Sequence, residues 1–236
     1  MLPRRTRAGL SQIKPPRQAG KRIAAMGEVS IPAGALRLEA ALDLPAAPRG
    51  VVAFSHGSGS GRNSPRNRSV AGELRKAGLA TLLLDLLTED EDLDVVRRFD
   101  ITLLAARLAD AVRFLAEHKA TRALPIGLFG ASTGAASALR VAAAMPQRIG
   151  AVVSRGGRPD LAGATALARV KAPTLLIVGG DDSGVIEVNQ QAHAALTGCT
   201  RELALVPGAT HLFEEPGALE RVAELAVAWF GRYLHG

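Results

Sequence analysis

The chain predicts a doubly wound α/β fold: a mostly parallel sheet with helices on both faces, led by an antiparallel hairpin and without a lid domain. Three observations carry this. Six short apolar runs, each closed by glycine or a polar residue, recur along the chain, as strands buried on both faces do. Helical stretches separate them, and strict alternation of the two element types favours parallel strands joined by crossovers. Hydrophobic residues make up 47% of the chain but aromatics only 3%, which suits a core of Ala, Val, Leu and Ile under such a sheet.

The elements follow in order. In "GEVSIPAGALRLEAALDLP" two alternating runs flank Pro32-Ala33-Gly34 and predict the opening hairpin. The six buried strands are "RGVVAFSHG", "GLATLLLDLL", "LPIGLFGAS", "IGAVVSRGG", "APTLLIVGG" and "RELALVPGA". Between and after them lie helices in "SPRNRSVAGELRKAG", "FDITLLAARLADAVRFLAEHKA", "TGAASALRVAAAM", a short "DLAGATALARV", "GVIEVNQQAHAALTG" and "PGALERVAELAVAWFGRYL". Ser64-Pro65 supplies a cap and a first-turn proline, Gly78 closes that helix, and Pro216 is expected to open the last one. The stretch from Ser154 to Lys171 is too short for an inserted lid, so the cleft above the strand ends should be open.

With 236 residues the chain is long enough for one well-buried domain. Its single cysteine, Cys199, excludes an internal disulfide framework and a cysteine-rich zinc site, and reads as a small packed residue. The net charge of +7 is concentrated at one end: Arg4, Arg5, Arg7, Lys14, Arg17, Lys21 and Arg22 precede any acidic residue. Setting those seven aside leaves 22 basic residues against 22 acidic ones. Residues 1–25 are therefore expected to be a basic, disordered extension, with Met26 as an alternative start, and residues 26–236 to be the folded domain. The body shows no basic stripe with interleaved aromatics, which argues against nucleic-acid binding. No apolar h-region and no apolar run of membrane-spanning length occurs, so a cytoplasmic protein without membrane association is expected.

In open α/β sheets ligands gather outside the carboxyl ends of the strands, so the residues that end each apolar run are the ones to inspect. One run ends in Gly130-Ala131-Ser132-Thr133-Gly134, a G-x-S-x-G pattern that lifts a serine hydroxyl clear of the sheet at a strand-to-helix turn. Such a short pattern arises by chance in a glycine-rich chain, and its context decides. "TLLIVGGDD" ends in Asp181-Asp182, and "LALVPGATH" leads to His211. Acyl transfer needs a nucleophile, a base to take its proton and an acid to orient that base. Ser132, His211 and Asp182 supply them in the chain order Ser, Asp, His. The helix dipole beginning at Ser132 favours a developing oxyanion, with the Thr133 amide as one donor. The loop "HGSGSG" after the first parallel strand is expected to supply the second donor, from Ser58. His56, at the start of that loop, supports it by hydrogen bonding or simply packs, and is grouped with Arg66, Arg68 and Arg155 as a substrate-binding candidate. Arg66 and Arg68 in "SPRNRS", and Arg155 and Arg158 in "SRGGRPD", should border the same cleft. Arginine binds carboxylates bidentately, so they raise the prospect of an acidic substrate; the competing reading is ion pairing with the acidic loop "TEDEDLD", a solvated rim without the pattern of a calcium loop. His118 and His193 fall in amphipathic helices and His235 at the terminus, which suits surface roles.

These elements together, with "HGSGS", "GASTGAA", "GGDD" and "GATH", resemble the α/β-hydrolase superfamily and in particular dienelactone-hydrolase-like proteins. The longer stretches "FSHGSGSGRNSPRNRSVAGEL", "SRGGRPDLAG", "TLLIVGGDDSGVIEVNQ" and "GATHLFEEPGALE" are similar to a bacterial subgroup also found fused behind a phosphoribosyltransferase-type domain. The resemblance covers about residues 26–236 and implies the α/β-hydrolase fold. Its pattern of a glycine pair, one variable residue and then Asp selects Asp182 over Asp181, which becomes a turn residue. Dienelactone hydrolases proper carry cysteine as nucleophile, and Ser132 in its place favours esterase-like chemistry over a lactone substrate.

The expectation is thus a serine hydrolase of small carboxylic esters, without cofactor or metal, acting through an acyl-enzyme. A non-catalytic binding protein on the same fold is the alternative, because a fold does not fix a function. A dinucleotide-binding reductase is disfavoured: "GLFGASTG" is not G-x-G-x-x-G, and "GSGSGRNS" lacks the G-K-[ST] ending of a phosphate loop.

Overall fold

A computed structural model describes residues 23–235. The expected basic extension lies outside the described residues up to position 22, and the first strand takes in 23–25. Strands β1 (Ile23–Ala33) and β2 (Leu36–Pro45) form the opening hairpin, and β2 pairs antiparallel with β4 (Ala80–Leu84). From there the sheet is parallel through β3 (Val51–Ser55), β5 (Ile126–Ala131), β6 (Ile149–Arg155), β7 (Thr174–Gly179) and β8 (Arg201–Val206). The spatial order is β1-β2-β4-β3-β5-β6-β7-β8. The order reverses at β3, so the crevice between the ends of β3 and β5 is the topological switch point.

Alternation along β3 shows why these runs become two-sided strands. Val51 and Ala53 face one core layer, Val52 and Phe54 the other. Helices α1 (Pro65–Lys76) and α8 (Ala218–Tyr233) cover the second face, where Val70, Leu74, Val222 and Phe230 pack against Phe54 and Phe129. Helices α4 (Ile101–Glu117), α5 (Thr133–Ala144), α6 (Ala164–Arg169) and α7 (Ser183–Ala195) belong to the first face. In α4 the buried Leu104, Leu108, Ala111, Val112 and Leu115 repeat at three- and four-residue spacing, the stripe of a one-faced helix. The segment between β6 and β7 holds a 3-10 turn, Pro159–Ala162, and α6, with no lid.

Local chemistry sets the boundaries. The Ser64 hydroxyl accepts from the Asn67 amide at the start of α1, with Pro65 in the first turn as expected. Helix α8 starts two residues after Pro216, because Gly217 at φ 80° turns the chain first. The acidic stretch is ordered differently from expectation. It forms two short helices, α2 (Glu89–Asp92) and α3 (Val95–Phe99), and Glu91 is buried. The Glu91 carboxylate accepts from Arg97 and Arg107 while closing a capping box with Thr88. Three of its acids thus lie at the surface, Asp92 is half-buried against Arg98, and Glu91 is a structural anchor. Among the described residues, no helix is long and apolar enough to cross a membrane.

Candidate active site

Ser132 stands between β5 and α5 at φ 51°, ψ −121°. L residues seldom adopt this conformation, which costs on the order of 1–3 kcal/mol unless neighbours enforce it. Two close backbone approaches do so. A Cβ at Gly130 would lie 2.5 Å from the Ala135 Cα, and one at Gly134 would run into the Ser55 carbonyl. With glycine at both positions α5 presses onto β3 and β5, leaving the serine no room to relax into the helix. The Ser132 amide is held by the Arg155 carbonyl, and its own carbonyl accepts from the Arg158 amide.

Asp182 follows β7 and precedes α7; His211 lies in the loop after β8. Their side chains meet: Nδ1 of His211 is 2.7 Å from Oδ2 of Asp182. An ionised carboxylate can only accept, so in the neutral ring Nδ1 carries the hydrogen and Nε2 keeps its lone pair. The Asp181 side chain is exposed, while its amide is spent on the Ala209 carbonyl. The neighbouring aspartates thus part company at the end of one strand. His211 and Ser132 line one cavity of about 220 Å³, together with Gly57, Ser58 and Leu212.

The Ser58 amide donates to the Thr133 hydroxyl at 3.0 Å, which brings the loop after β3 against the first residue of α5. At Gly57 a Cβ would sit 3.1 Å from the Ser132 Cβ, so the loop passes directly over the serine. The Thr133 amide, first in its helix, has no intrahelical partner by position.

The other expected residues divide. Arg66 and Arg155 line the Ser132 cavity. Arg68 instead donates to the Asn63 side chain at the surface, and Arg158 pairs with Asp160. His56 lines a different cavity of about 420 Å³, on the far side of the loop, with Asp85, Arg62 and Glu39. Its buried ring bridges two backbones: Nδ1 meets the Gly57 carbonyl at 2.9 Å and Nε2 accepts from the Leu86 amide at 3.0 Å. Burial pushes its pKa down, against opposing pulls from the Gly57 carbonyl, Asp85 and Asp92. The neutral tautomer fits both bonds, and the ring ties the Ser58 loop to β4 without touching the Ser132 cavity.

Arg155 is 6% exposed and makes no ion pair among the described residues; its Nε has no partner. Its guanidinium lies 5.7 Å from the centre of the Phe213 ring. Burial, and then the nearby Arg66 charge, lower its pKa to about 10, still charged at neutral pH. The competing reading of the arginines as partners of the acidic stretch does not describe them: that stretch is held by Arg97, Arg98 and Arg107, and Arg66 pairs with Glu214. Sequence reasoning did not single out Phe213, which carries Arg155 at φ 57°, or Asn67, a buried residue of α1 that lines the cavity. Asn67 had one signal, its place in the first turn after Ser64; Phe213 had none. Among the described residues no cluster of His, Cys, Asp or Glu could hold a metal ion.

Comparison with known proteins identifies relatives of the same fold. A crystal structure of dienelactone hydrolase from Anabaena variabilis is 52% identical, with a TM-score of 0.86, over 89% of this chain and 99% of that one. An esterase domain of a Rhodothermus marinus protein shares the fold at 22% identity and a TM-score of 0.71, over 89% of this chain and 99% of that one. A Mycobacterium tuberculosis protein named "Putative phosphoribosyl transferase" is 57% identical over 210 residues, 89% of this chain and 47% of its own length. The chain thus spans about half the length of the curated relatives it matches. The description of the dienelactone hydrolase family matches residues 40–234, from the opening hairpin to the last helix, and the chain belongs to that family.

Proposed function

We propose that the protein is a serine hydrolase of small carboxylic esters, acting through an acyl-enzyme. The observation that carries this is that His211, which shares a cavity with Ser132 at its strained turn, is held by Asp182. In this reading Ser132 Oγ attacks the ester carbonyl while His211 Nε2 takes its proton, and Asp182 holds the imidazole in the tautomer required. His211 then protonates the departing alkoxide, and water attacks the acyl-enzyme by the same route reversed. The amides of Ser58 and Thr133 hold the oxyanion; the Ser58 N–H must be shared with, or leave, the Thr133 hydroxyl that it meets at rest. Membership of the dienelactone hydrolase family supports an ester-acting enzyme. No cofactor enters the scheme. A cavity of about 220 Å³ suits a short acyl group, and the unpaired Arg155 beside it favours an acidic substrate.

The test is intact-mass spectrometry after exposure to a fluorophosphonate probe, with peptide mapping, on wild type and Ser132→Ala. A single adduct on Ser132 is the expected result. A folded wild type without an adduct, or one equally labelled after Ser132→Ala, would overturn the reading in favour of a binding protein on this fold.

A further inference from the structure

We propose that the cavity beside Ser132 contains a phosphate subsite, formed by Arg155 at the end of β6 and the N-terminus of α1, so that the ester substrate bears a phosphate group. Two independent features meet there. The first is the start of a twelve-residue helix, with Ser64 as its cap and Arg66 and Asn67 in its first turn; Ser64, Arg66 and Asn67 all line the cavity. The first amides of a helix lack intrahelical acceptors, and the dipole there favours an anion. Pro65 has no amide and the Asn67 amide is turned to Ser64, which leaves the Arg66 amide unused by the helix. The second feature is Arg155 itself, more than nine-tenths buried, lining the same cavity with its Nε unpartnered.

A buried cation without a counter-charge is costly, and folded proteins rarely keep one that nothing compensates. The missing counter-charge is not in the cavity wall, which contains two arginines and no carboxylate. Glu214 reaches Arg66 only from outside, with its side chain 63% exposed. An exposed pair of this kind contributes little, so an arriving anion can recruit Arg66 from it. Donors approach from two walls, the end of β6 and the tip of α1, and Ser58, Ser60 and Ser64 also line the cavity. A planar carboxylate presents its acceptors in one plane and is served by one guanidinium. A tetrahedral dianion offers three oxygens in different directions, matching two cations and a helix terminus.

The identification of the ligand as part of a substrate rests on the hydrolase reading; anion binding does not, and the test separates them. Inorganic phosphate and acetate are titrated by calorimetry at pH 7.5 and low salt into the full-length wild type, Ser132→Ala, Arg155→Gln and Arg66→Gln. Expected are phosphate binding to wild type and Ser132→Ala alike, weakened tenfold or more by Arg155→Gln and severalfold by the rim variant Arg66→Gln, with acetate at least tenfold weaker throughout. Arg66→Gln keeps the test valid should Arg155→Gln fail to fold. Acetate binding as tightly as phosphate would overturn the proposal in favour of a carboxylate subsite. Absent phosphate binding, or binding unchanged in both arginine variants as for contact with the basic N-terminal segment, would also overturn it. Phosphate binding in a protein whose Ser132 resists the probe would leave the subsite standing and remove the hydrolase reading.

Discussion

Two cavities flank the loop after β3, and Ser60 lines both. The larger, beside His56, contains the carboxylates Glu39, Asp85, Glu89 and Asp92, with Asp85 held by Arg62 and Asp92 by Arg98. The smaller, beside Ser132, contains Arg66 and Arg155 and no carboxylate. In the larger cavity two of the four carboxylates, Asp85 and Asp92, are answered by arginines. The smaller leaves a buried charge unanswered, and beside it stand a strained serine and a histidine poised by an aspartate. Uncompensated chemistry, rather than volume, marks the smaller cavity as the candidate site.

The sharpest way to break this contrast is Ser132→Ala. It should lower kcat for a short-chain ester by about 10⁴-fold or more while leaving the thermal midpoint within a degree or two, measured by stopped assay and calorimetry. Next, Asp182→Asn should lower kcat by about 10⁴-fold by inverting the His211 tautomer, whereas Asp181→Asn, one residue away, should leave it within about twofold. Similar losses from both would contradict the division of roles at the end of β7.

Smaller effects sharpen the comparison. Arg155→Met should raise stability by about 1 kcal/mol or more in urea melts, because it removes a desolvated and unpaired charge, while lowering kcat/KM for anionic esters but not for neutral ones of the same length. Destabilisation would show that the charge is compensated after all. On the other side of the loop, His56→Asn should cost about 1–3 kcal/mol by stranding the Leu86 amide. It should also flatten the acid limb of the stability curve. A histidine with a lowered folded pKa binds more protons when unfolded, so its contribution is intact above about 6.5 and is lost as pH falls below that value. Urea melts from pH 8 to 5 would check the sign. Glu89→Gln, at an exposed position of the larger cavity, should change stability by no more than about 0.5 kcal/mol and leave turnover unaltered.

The contrast also shows what was legible in the sequence. The strands and the order Ser132, Asp182, His211 could be read because they depend on local patterns: apolar runs, glycines at a turn, polar residues at strand ends. Placement of the arginines could not. Arg66 and Arg68 are two apart in one helix, so they point to different sides, and only the path of the neighbouring loops decides which side is the cavity. Burial of Glu91 among three exposed acids and the half-buried Asp92 depends on Arg97 and on Arg107, sixteen residues away in the next long helix. The role of His56 likewise depends on the neighbour relation of β3 and β4, which brings Leu86 within reach. Periodicity predicts elements; which polar side chain is answered by which partner is settled by register.

The Arg107 contact extends further than the anchoring of one acid. The same guanidinium that holds Glu91 also donates to the Ala33 carbonyl, at the turn end of β1. An edge hairpin clasped at its tip to α4 cannot peel away from the sheet without also breaking a buried charge pair. Amide hydrogen exchange in β1 should then be slowest towards Ala33 and fastest towards Ile23, and the protected tip should open only with the whole domain, as part of one cooperative unit.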